Sequence, residues 1–409
     1  MTRLDPQREV QPLAPALSGS RHPSLWKRTP HRAEDFFDAR TLAEARDYAR
    51  PVNRVRVVRG VVGLAVVAAF VAGQAGPALL EALQLGVWPL EVAVVVLAFV
   101  VAGAAASICF DAWLTLVHDR RHGLSTQSAA GFLADSLKEV MLSAALLTTL
   151  LVPVLAVIRA TDAWWLGGWA IATAFATTLA LVYPVVILPR FNRFEPLGDG
   201  DLLRRLQAVA DRAGEPIESV QVMDASRRTT RDNAFVAGFG PTKRVVLFDT
   251  LLEHPPEVIE QIVAHEIGHY RLRHIPKSIA FQAVLFLAVF AFVGWFTSWQ
   301  PALDAASVAH PGAPGAVPLV LVGLGIGVAV TSFAGAFYSR AKERQADLEA
   351  LELLGRPEDF IELWRRLAPK NKAELQPAWW RRLLASHPEI PERMSFGTRW
   401  AELNGPALH

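Results

Sequence analysis

The chain has one cysteine, Cys109, in 409 residues. That excludes an intrachain disulfide and any cysteine cluster able to hold a metal. Cys109 lies inside an apolar run and reads as a small buried hydrophobe. Charge of one sign is also missing: the formal net charge is +2, and no Lys/Arg block sits on a polar, folded-looking stretch. The electrostatic basis for a nucleic-acid partner is therefore absent. The N-terminal 50 residues, polar and rich in Pro and Arg, lack the short apolar core and small-residue cleavage site of a secretory signal. They are expected to stay on the cytosolic side, disordered to about residue 30. No internal repeat and no low-complexity tract is visible.

What the chain has in quantity is hydrophobicity, at 52% of residues, with a positive mean hydropathy. Six stretches, at about 60–80, 92–110, 140–158, 164–188, 279–298 and 316–338, are long and apolar enough to cross roughly 30 Å of hydrocarbon at 1.5 Å per residue. The other reading, buried helices of a large soluble core, has to account for several runs at spanning length. The connections at 81–91 and 299–315 carry no Lys or Arg, and 159–163 carries only Arg159. Basic residues are retained on the cytoplasmic side, so these three connections are expected to face outward. The N-terminal arm, the 111–139 loop, segment 189–278 and the C-terminal tail then face the cytosol, as an even number of spans requires. Trp88, Trp113, Trp164, Trp165, Trp295 and Trp299 fall near span ends, where an interfacial aromatic belt belongs.

Five regions follow: an arm at 1–57, four membrane helices at 58–188, a core segment at 189–278, two membrane helices at 279–338 and a helical part at 339–409. Segment 189–278 reads as a small α+β unit. Leu202, Leu203, Leu206 and Val209 form a helical stripe; Ser219–Met223, Asn233–Ala237 and Arg244–Phe248 read as strands; Pro256–His274 reads as a helix. After 339, Leu348, Leu351 and Leu354, then Ile361, Trp364 and Leu367, form apolar helical faces.

The chemistry concentrates in His265-Glu266-Ile267-Gly268-His269, a match to HExxH within the Pro256 helix. At 100° per residue the two histidines lie about 40° apart and one turn along, so both rings can reach one tetrahedral ion. Glu266 projects beside them. A water at the open coordination position becomes acidic enough to attack near neutral pH, and the carboxylate can take its proton and pass it to a leaving amine. A peptidase zinc site needs a third protein ligand, commonly His or Glu. Glu343 lies just after the sixth span, on the same side as the histidine helix, and Asp347 follows on the same face, placed to accept a hydrogen bond from a ligand imidazole. An equally open reading makes Glu343 and Asp347 a solvated face paired with Arg340 and Arg344. His274 and His254 are expected to be solvent-exposed, since His274 is turned about 140° from His269 and His254 precedes Pro255 in a turn.

These segments, together with Leu188–Leu197, Asn233-Ala-Phe, Arg244–Leu252, Ser386-His-Pro388 with Arg393, and His122-Gly123, resemble the type I CAAX prenyl proteases, integral-membrane zinc metallopeptidases of the gluzincin kind. The agreement in order and spacing runs from about residue 35 to the end. The resemblance implies a mainly α, polytopic helical barrel around an intramembrane chamber, with a cytosolic-side gluzincin α+β domain. It implies one Zn²⁺ on His265, His269 and Glu343, with Glu266 as general base. It also implies that Asn233, Ala234 and Phe235 bind the substrate backbone, and that His387 and Arg393 face the catalytic centre. An exposed strand edge holds an extended peptide by β-augmentation. His387 is then available to an oxyanion, and Arg393 to a substrate or site carboxylate. Turn roles for His387 and Asn233 remain open.

Eukaryotic members have a further N-terminal spanning helix, so six helices are expected to leave the chamber wall thinner or gapped on one side. The expected protein is an inner-membrane endopeptidase with both termini cytosolic, its partners the bilayer and a peptide or protein substrate, prenylated or not. Two alternatives stand beside it: a membrane-protein quality-control protease of the same chemistry, and a non-catalytic sensor or scaffold that keeps zinc for its fold. The intact Glu266 argues against the scaffold, because a purely structural site needs no base and fills all four positions with protein ligands.

Overall fold

The computed structural model describes Leu25, residues 32–238 and residues 243–404. The arm expected to be disordered lies almost wholly outside the described residues. Leu25 is buried against Leu351, Phe360, Phe396 and Trp400.

Among the described residues, six helices are long and apolar enough to cross a membrane: Ala39–Ala72, Trp88–Arg121, Ala129–Ala160, Trp164–Arg190, His274–Ser298 and Pro314–Leu354. Their most apolar windows are at most 39% buried inside the protein. A soluble core would bury such side chains almost completely, so the core-helix reading fails. We label the helices α1 (Ala39–Ala72), α2 (Trp88–Ala112), α3 (Ala129–Ala160), α4 (Trp164–Val182), α5 (Asp201–Ala213), α6 (Pro256–Arg271), α7 (His274–Ser298), α8 (Val317–Leu354), α9 (Pro357–Lys370), α10 (Trp379–Leu384) and α11 (Ile390–Asn404). Packing runs α1 on α2, α2 on α3, α3 on α4, α4 on α7, α7 on α8, and α8 back on α1 and α2. The α8–α1 seam is the sparsest of these contacts. A lateral cavity of about 920 Å³ opens between α2, α3 and the end of α4.

Three expectations need correction. The first span is not 60–80: α1 stops at Ala72, Gln74 adopts a left-handed conformation (φ 53°), and a separate short helix, Ala75–Leu83, follows. The sequence Gly73-Gln-Ala-Gly76-Pro77 supplies the breakers. Upstream, the charged arm is not separate from the span but continues it, started by Asp38, whose side chain accepts from the Thr41 N–H. Cys109, expected to be buried, is exposed on α2. In a spanning helix an apolar environment does not require protein around it, so apolar character does not imply burial.

Between α4 and α7 lies a four-stranded sheet of order β1-β2-β4-β3: β1 (Phe194–Pro196), β2 (Ser219–Met223), β3 (Ala234–Ala237) and β4 (Arg244–Phe248). β2 and β4 are parallel, and the outer strands are antiparallel to them. β1, which ends in Pro196 at an edge, was not anticipated; three residues give too little alternation to read. One face of the sheet packs against α5 and α6 through Leu206, Val209, Val245, Leu247, Ile259, Val263 and Ile267. α6 begins at Pro256 with Glu257 in its first turn, a favoured start, and is buried on nearly all sides.

α8 passes as one unbroken helix of 38 residues from the span into this core. It ends at Gly355, whose positive φ (63°) lets its N–H cap the Leu351 carbonyl. Gly268 makes the approach of α6 to α8 possible: a Cβ there would lie 3.0 Å from Glu349 Cβ. The Gly123 loop after the second span is tied to the segment before β3, where Thr230 Oγ1 donates to Gly123 O (2.6 Å) and Arg231 pairs with Asp119 (3.1 Å).

Candidate active site

α6 brings His265 Nε2 and His269 Nε2 to 3.2 Å from each other. From the membrane-emerging end of α8, Glu343 places Oε2 at 3.4 Å from His265 Nε2 and Oε1 at 3.5 Å from His269 Nε2. Among the described residues these three form a group able to hold a metal, with ligand atoms within 4.8 Å of one another. Donors about 2.0–2.2 Å from a tetrahedral ion stand roughly 3.3–3.6 Å apart, so the spacing fits a zinc-sized ion. A second observation agrees: Glu343 Oε2 is buried and accepts no well-directed hydrogen bond, although His387 Nδ1 lies 2.8 Å away. Two imidazoles and a carboxylate are also a donor set that zinc accepts.

The back of each imidazole is held. His265 Nδ1 lies 2.9 Å from Asp347 Oδ1, so its N–H donates there and its Nε2 lone pair faces Glu343. Asp347 is buried and takes a two-pronged pair from Arg393, with Nε to Oδ2 at 2.8 Å. Arg393 is itself buried, its guanidinium 3.9 Å from the Trp364 ring centroid. Of the two partners expected for Arg393, the site carboxylate is the one it meets. The reading of Glu343 and Asp347 as a solvated face fails: both are buried, Arg344 pairs instead with Glu392, and Arg340 donates to the carbonyls of Arg382 and Leu383.

His269 has a partner that the periodicity argument excluded. His274 is buried, with Nδ1 at 3.0 Å from His269 Nδ1 and Nε2 at 3.1 Å from Gln345 Oε1. Gln345 Oε1 accepts the Nε2–H, so His274 Nδ1 is left to accept the His269 Nδ1–H, which frees His269 Nε2. The expectation of an exposed His274 carried the 100° rule through Arg273. Arg273 is left-handed (φ 52°), so one helix ends and another begins there. His254 is likewise not exposed: its Nε2 lies 2.6 Å from Asp232 Oδ2.

Electrostatics separate the three chemical groups of the motif. Burial opposes a charge on His265, but the Asp347 bond and the adjoining Glu343 carboxylate outweigh it and raise its pKa to about 9. Burial, reinforced by neighbouring His265, holds His269 down at about 3. Burial pushes the Glu266 carboxyl up.

Glu266, His269, His387 and Val236 line one cavity of about 580 Å³, whose far wall is small and apolar, with Ala176 and Ala180 of α4. His387 is 63% exposed on its side chain. β3 is an edge strand, and because Asn233 O accepts the Phe248 N–H, the peptide groups of Ala234 and Val236 point to the open edge. Phe235 is turned away: its peptide groups face β4, and its ring packs beside Met223, Ala225 and Val246 on the other sheet face. Asn233 is exposed at the head of the strand, where its Oδ1 accepts the outward Ala234 N–H (2.9 Å). Tyr270, which sequence reasoning missed, has its hydroxyl 3.2 Å from Val236 O and 3.1 Å from Gly238 O, and so touches the edge itself. Its position directly after the motif was the available signal.

Residues 196–401 match the model of peptidase family M48, and residues 21–193 match the N-terminal region of CAAX prenyl proteases, described as five membrane helices. A CAAX prenyl protease 1 homolog of Arabidopsis thaliana is 33% identical over 195 residues, which are 46% of this chain and 44% of that protein. The chain thus spans less than half of that relative's length. An uncharacterized metalloprotease of Bacillus subtilis, YhfN, is 29% identical over 300 residues, 72% of this chain and 70% of that one. The crystal structure of S. mikatae Ste24p shares the fold, with a TM-score of 0.80 over 92% of this chain and 93% of its own, at 22% identity. The M48 match covers half of the chain and every residue of the two-helix cluster, and the chain therefore belongs to peptidase family M48.

Proposed function

We propose that the protein is a membrane-embedded zinc endopeptidase that hydrolyses peptide bonds of polypeptides reaching it from the cytosol or through the ring of spans. The carrying observation is the meeting of the His265 and His269 Nε2 atoms with the Glu343 carboxylate, from two helices separated by a full membrane hairpin. His265, His269 and Glu343 would hold one Zn²⁺. The ion, when bound, supplies Lewis-acid activation of water and of the scissile carbonyl. The chain's own residues do the rest. Glu266, with its carboxyl pushed up by burial, takes the proton of the attacking water and hands it to the departing amine. Asp347 and His274 fix the two ring tautomers, and Arg393 keeps Asp347 in place. The open edge of β3, at Ala234 and Val236, pairs with the extended substrate backbone. Asn233 stands at the head of that edge, and His387, on the exposed side of the cavity, donates to the oxyanion.

The catalytic part in this reading combines 189–278 with 339–409, and it lies on the cytosolic side of an inner membrane with both termini. The names of the relatives point to C-terminal processing of prenylated proteins, and we carry that over as the substrate class. The Glu266→Gln protein is expected to bind zinc normally and lose about 10²–10⁴-fold in hydrolysis, whereas His269→Ala and Glu343→Ala lose the metal. Full proteolysis by purified Glu266→Gln would exclude the mechanism. Matched prenylated and unprenylated peptides test the substrate class, since equal rates point to a broader duty such as quality control.

A further inference from the structure

The short helix α10, Trp379-Trp-Arg-Arg-Leu-Leu384, is amphipathic in the inverted sense. Trp379, Trp380, Leu383 and Leu384 fall within about 140° of its surface and are all exposed, Trp379 by 73%. Arg381 and Arg382, on the opposite side, reach protein acids: Arg381 pairs with Glu374, and Arg382, though half exposed, has its Nε 2.9 Å from Glu389 Oε1. A helix that faces water does the reverse, with charge outward and apolar side chains inward. The surroundings of the outer face must therefore be apolar.

Its position says what covers it. On α8, Val330, Phe333 and Phe337 form one exposed apolar stripe within the sixth span, Phe337 at 66% exposure. Arg340 continues that stripe and is the first charged residue after it. Its guanidinium donates to the carbonyls of Arg382 (3.1 Å), Leu383 (3.3 Å) and Ala385 (2.6 Å), which close the C-terminal end of α10. On the other side, Glu374 ties the same segment to α1 through Asn53 Nδ2 at 3.0 Å. α10 thus hangs where the apolar stripe of α8 ends, across the sparse α8–α1 seam, at the level where Trp partitions into the headgroup layer.

We propose that α10 is an interfacial membrane helix, seated in the headgroup and upper acyl region at the α8–α1 seam, with the Trp379, Trp380, Leu383 and Leu384 face in lipid. It lies outside the six spans, and it leads through Ala385 and Ser386 directly into His387, so lipid contact and the loop beside the metal-capable cluster share one rigid attachment to Arg340. The docking does not depend on the cluster being a peptidase centre.

The test uses the full-length zinc-loaded protein with Cys109→Ser, carrying a nitroxide at Trp380→Cys or Leu384→Cys, in phosphatidylcholine/phosphatidylglycerol vesicles. Glu358→Cys on α9 is the water-facing reference. Oxygen is expected to collide with both α10 labels several-fold more often, relative to a water-soluble nickel chelate, than with the reference label. Adding Trp379→Asp and Leu383→Asp is expected to move the Leu384→Cys label toward the reference value while zinc content is retained. Nickel-chelate collisions equal to the reference would put the face in water and overturn the proposal. Low collisions with both reagents would mean that protein covers the face, and would overturn it equally. Neither readout requires hydrolysis, so loss of the peptidase reading leaves this one standing.

Discussion

The side chains behind the imidazoles deserve as much weight as the ligands in front of them. Asp347 holds His265 through Nδ1, and His274, itself held by Gln345, holds His269 in the same way. Each fixes the tautomer that presents Nε2 to the ion, which an unheld ring would adopt only part of the time. Asp347→Asn and His274→Phe are each expected to weaken zinc binding about 10–100-fold, measured by competition with a metallochromic chelator. Gln345→Leu should have a smaller effect in the same direction, because it acts through His274. Unchanged affinity in His274→Phe would show that the His269 ring needs no such support. HExxH was legible from residue type and spacing, whereas for Glu343 and Asp347 residue type and spacing left a metal site and a solvated face equally open, and only the resemblance named Glu343 as a ligand. His274 was not legible, because a single left-handed residue at Arg273 changes the direction of every side chain after it.

Two contacts between elements control the centre. α6 meets α8 across Gly268, where a Cβ would press against Glu349 Cβ and lie 3.4 Å from Ala346 O. Gly268→Val is expected to force the helices apart and to lose both zinc and peptide hydrolysis, while Gly268→Ala retains more of each; zinc content by atomic absorption on purified protein checks it. Wild-type zinc content in Gly268→Val would mean the contact is slack. The other contact is the edge of β3, whose outward N–H at Ala234 is bonded not by the sheet but by Asn233 Oδ1 (2.9 Å), a local bond that a substrate strand would displace. Proline is tolerated at such a position. Ala234→Pro is therefore expected to leave zinc content unchanged and to raise KM for peptides about tenfold, the worth of one net hydrogen bond of roughly 1.4 kcal/mol. An unaltered KM would argue against strand addition as the binding mode. β2, β4, α5 and the body of α6 were readable from alternation and helical periodicity, whereas the break after Ala72 and the three-residue β1 were not.

At the scale of the molecule, membrane and metal support different things. The six spans pack around each other and offer apolar faces to the bilayer, whereas the metal-capable cluster joins only α6 and α8. Stripping the protein with a chelator is thus expected to abolish hydrolysis reversibly while leaving its helical circular dichroism nearly intact, with activity restored by added zinc. Loss of helicity in step with activity would place the ion in the folding of the whole ring. The sequence by itself determined that the chain crosses a membrane about six times and carries a two-histidine metal motif with an adjacent base, because transfer free energy and helical period accumulate residue by residue along the chain. Only the tertiary structure decided that Glu343 reaches the histidines, that Asp347 and Arg393 form a buried pair behind them, and that Cys109 and the α10 face are turned outward. Those outcomes depend on how distant helices close on one another and on single left-handed residues that redirect the chain, and neither leaves a periodic trace in the sequence.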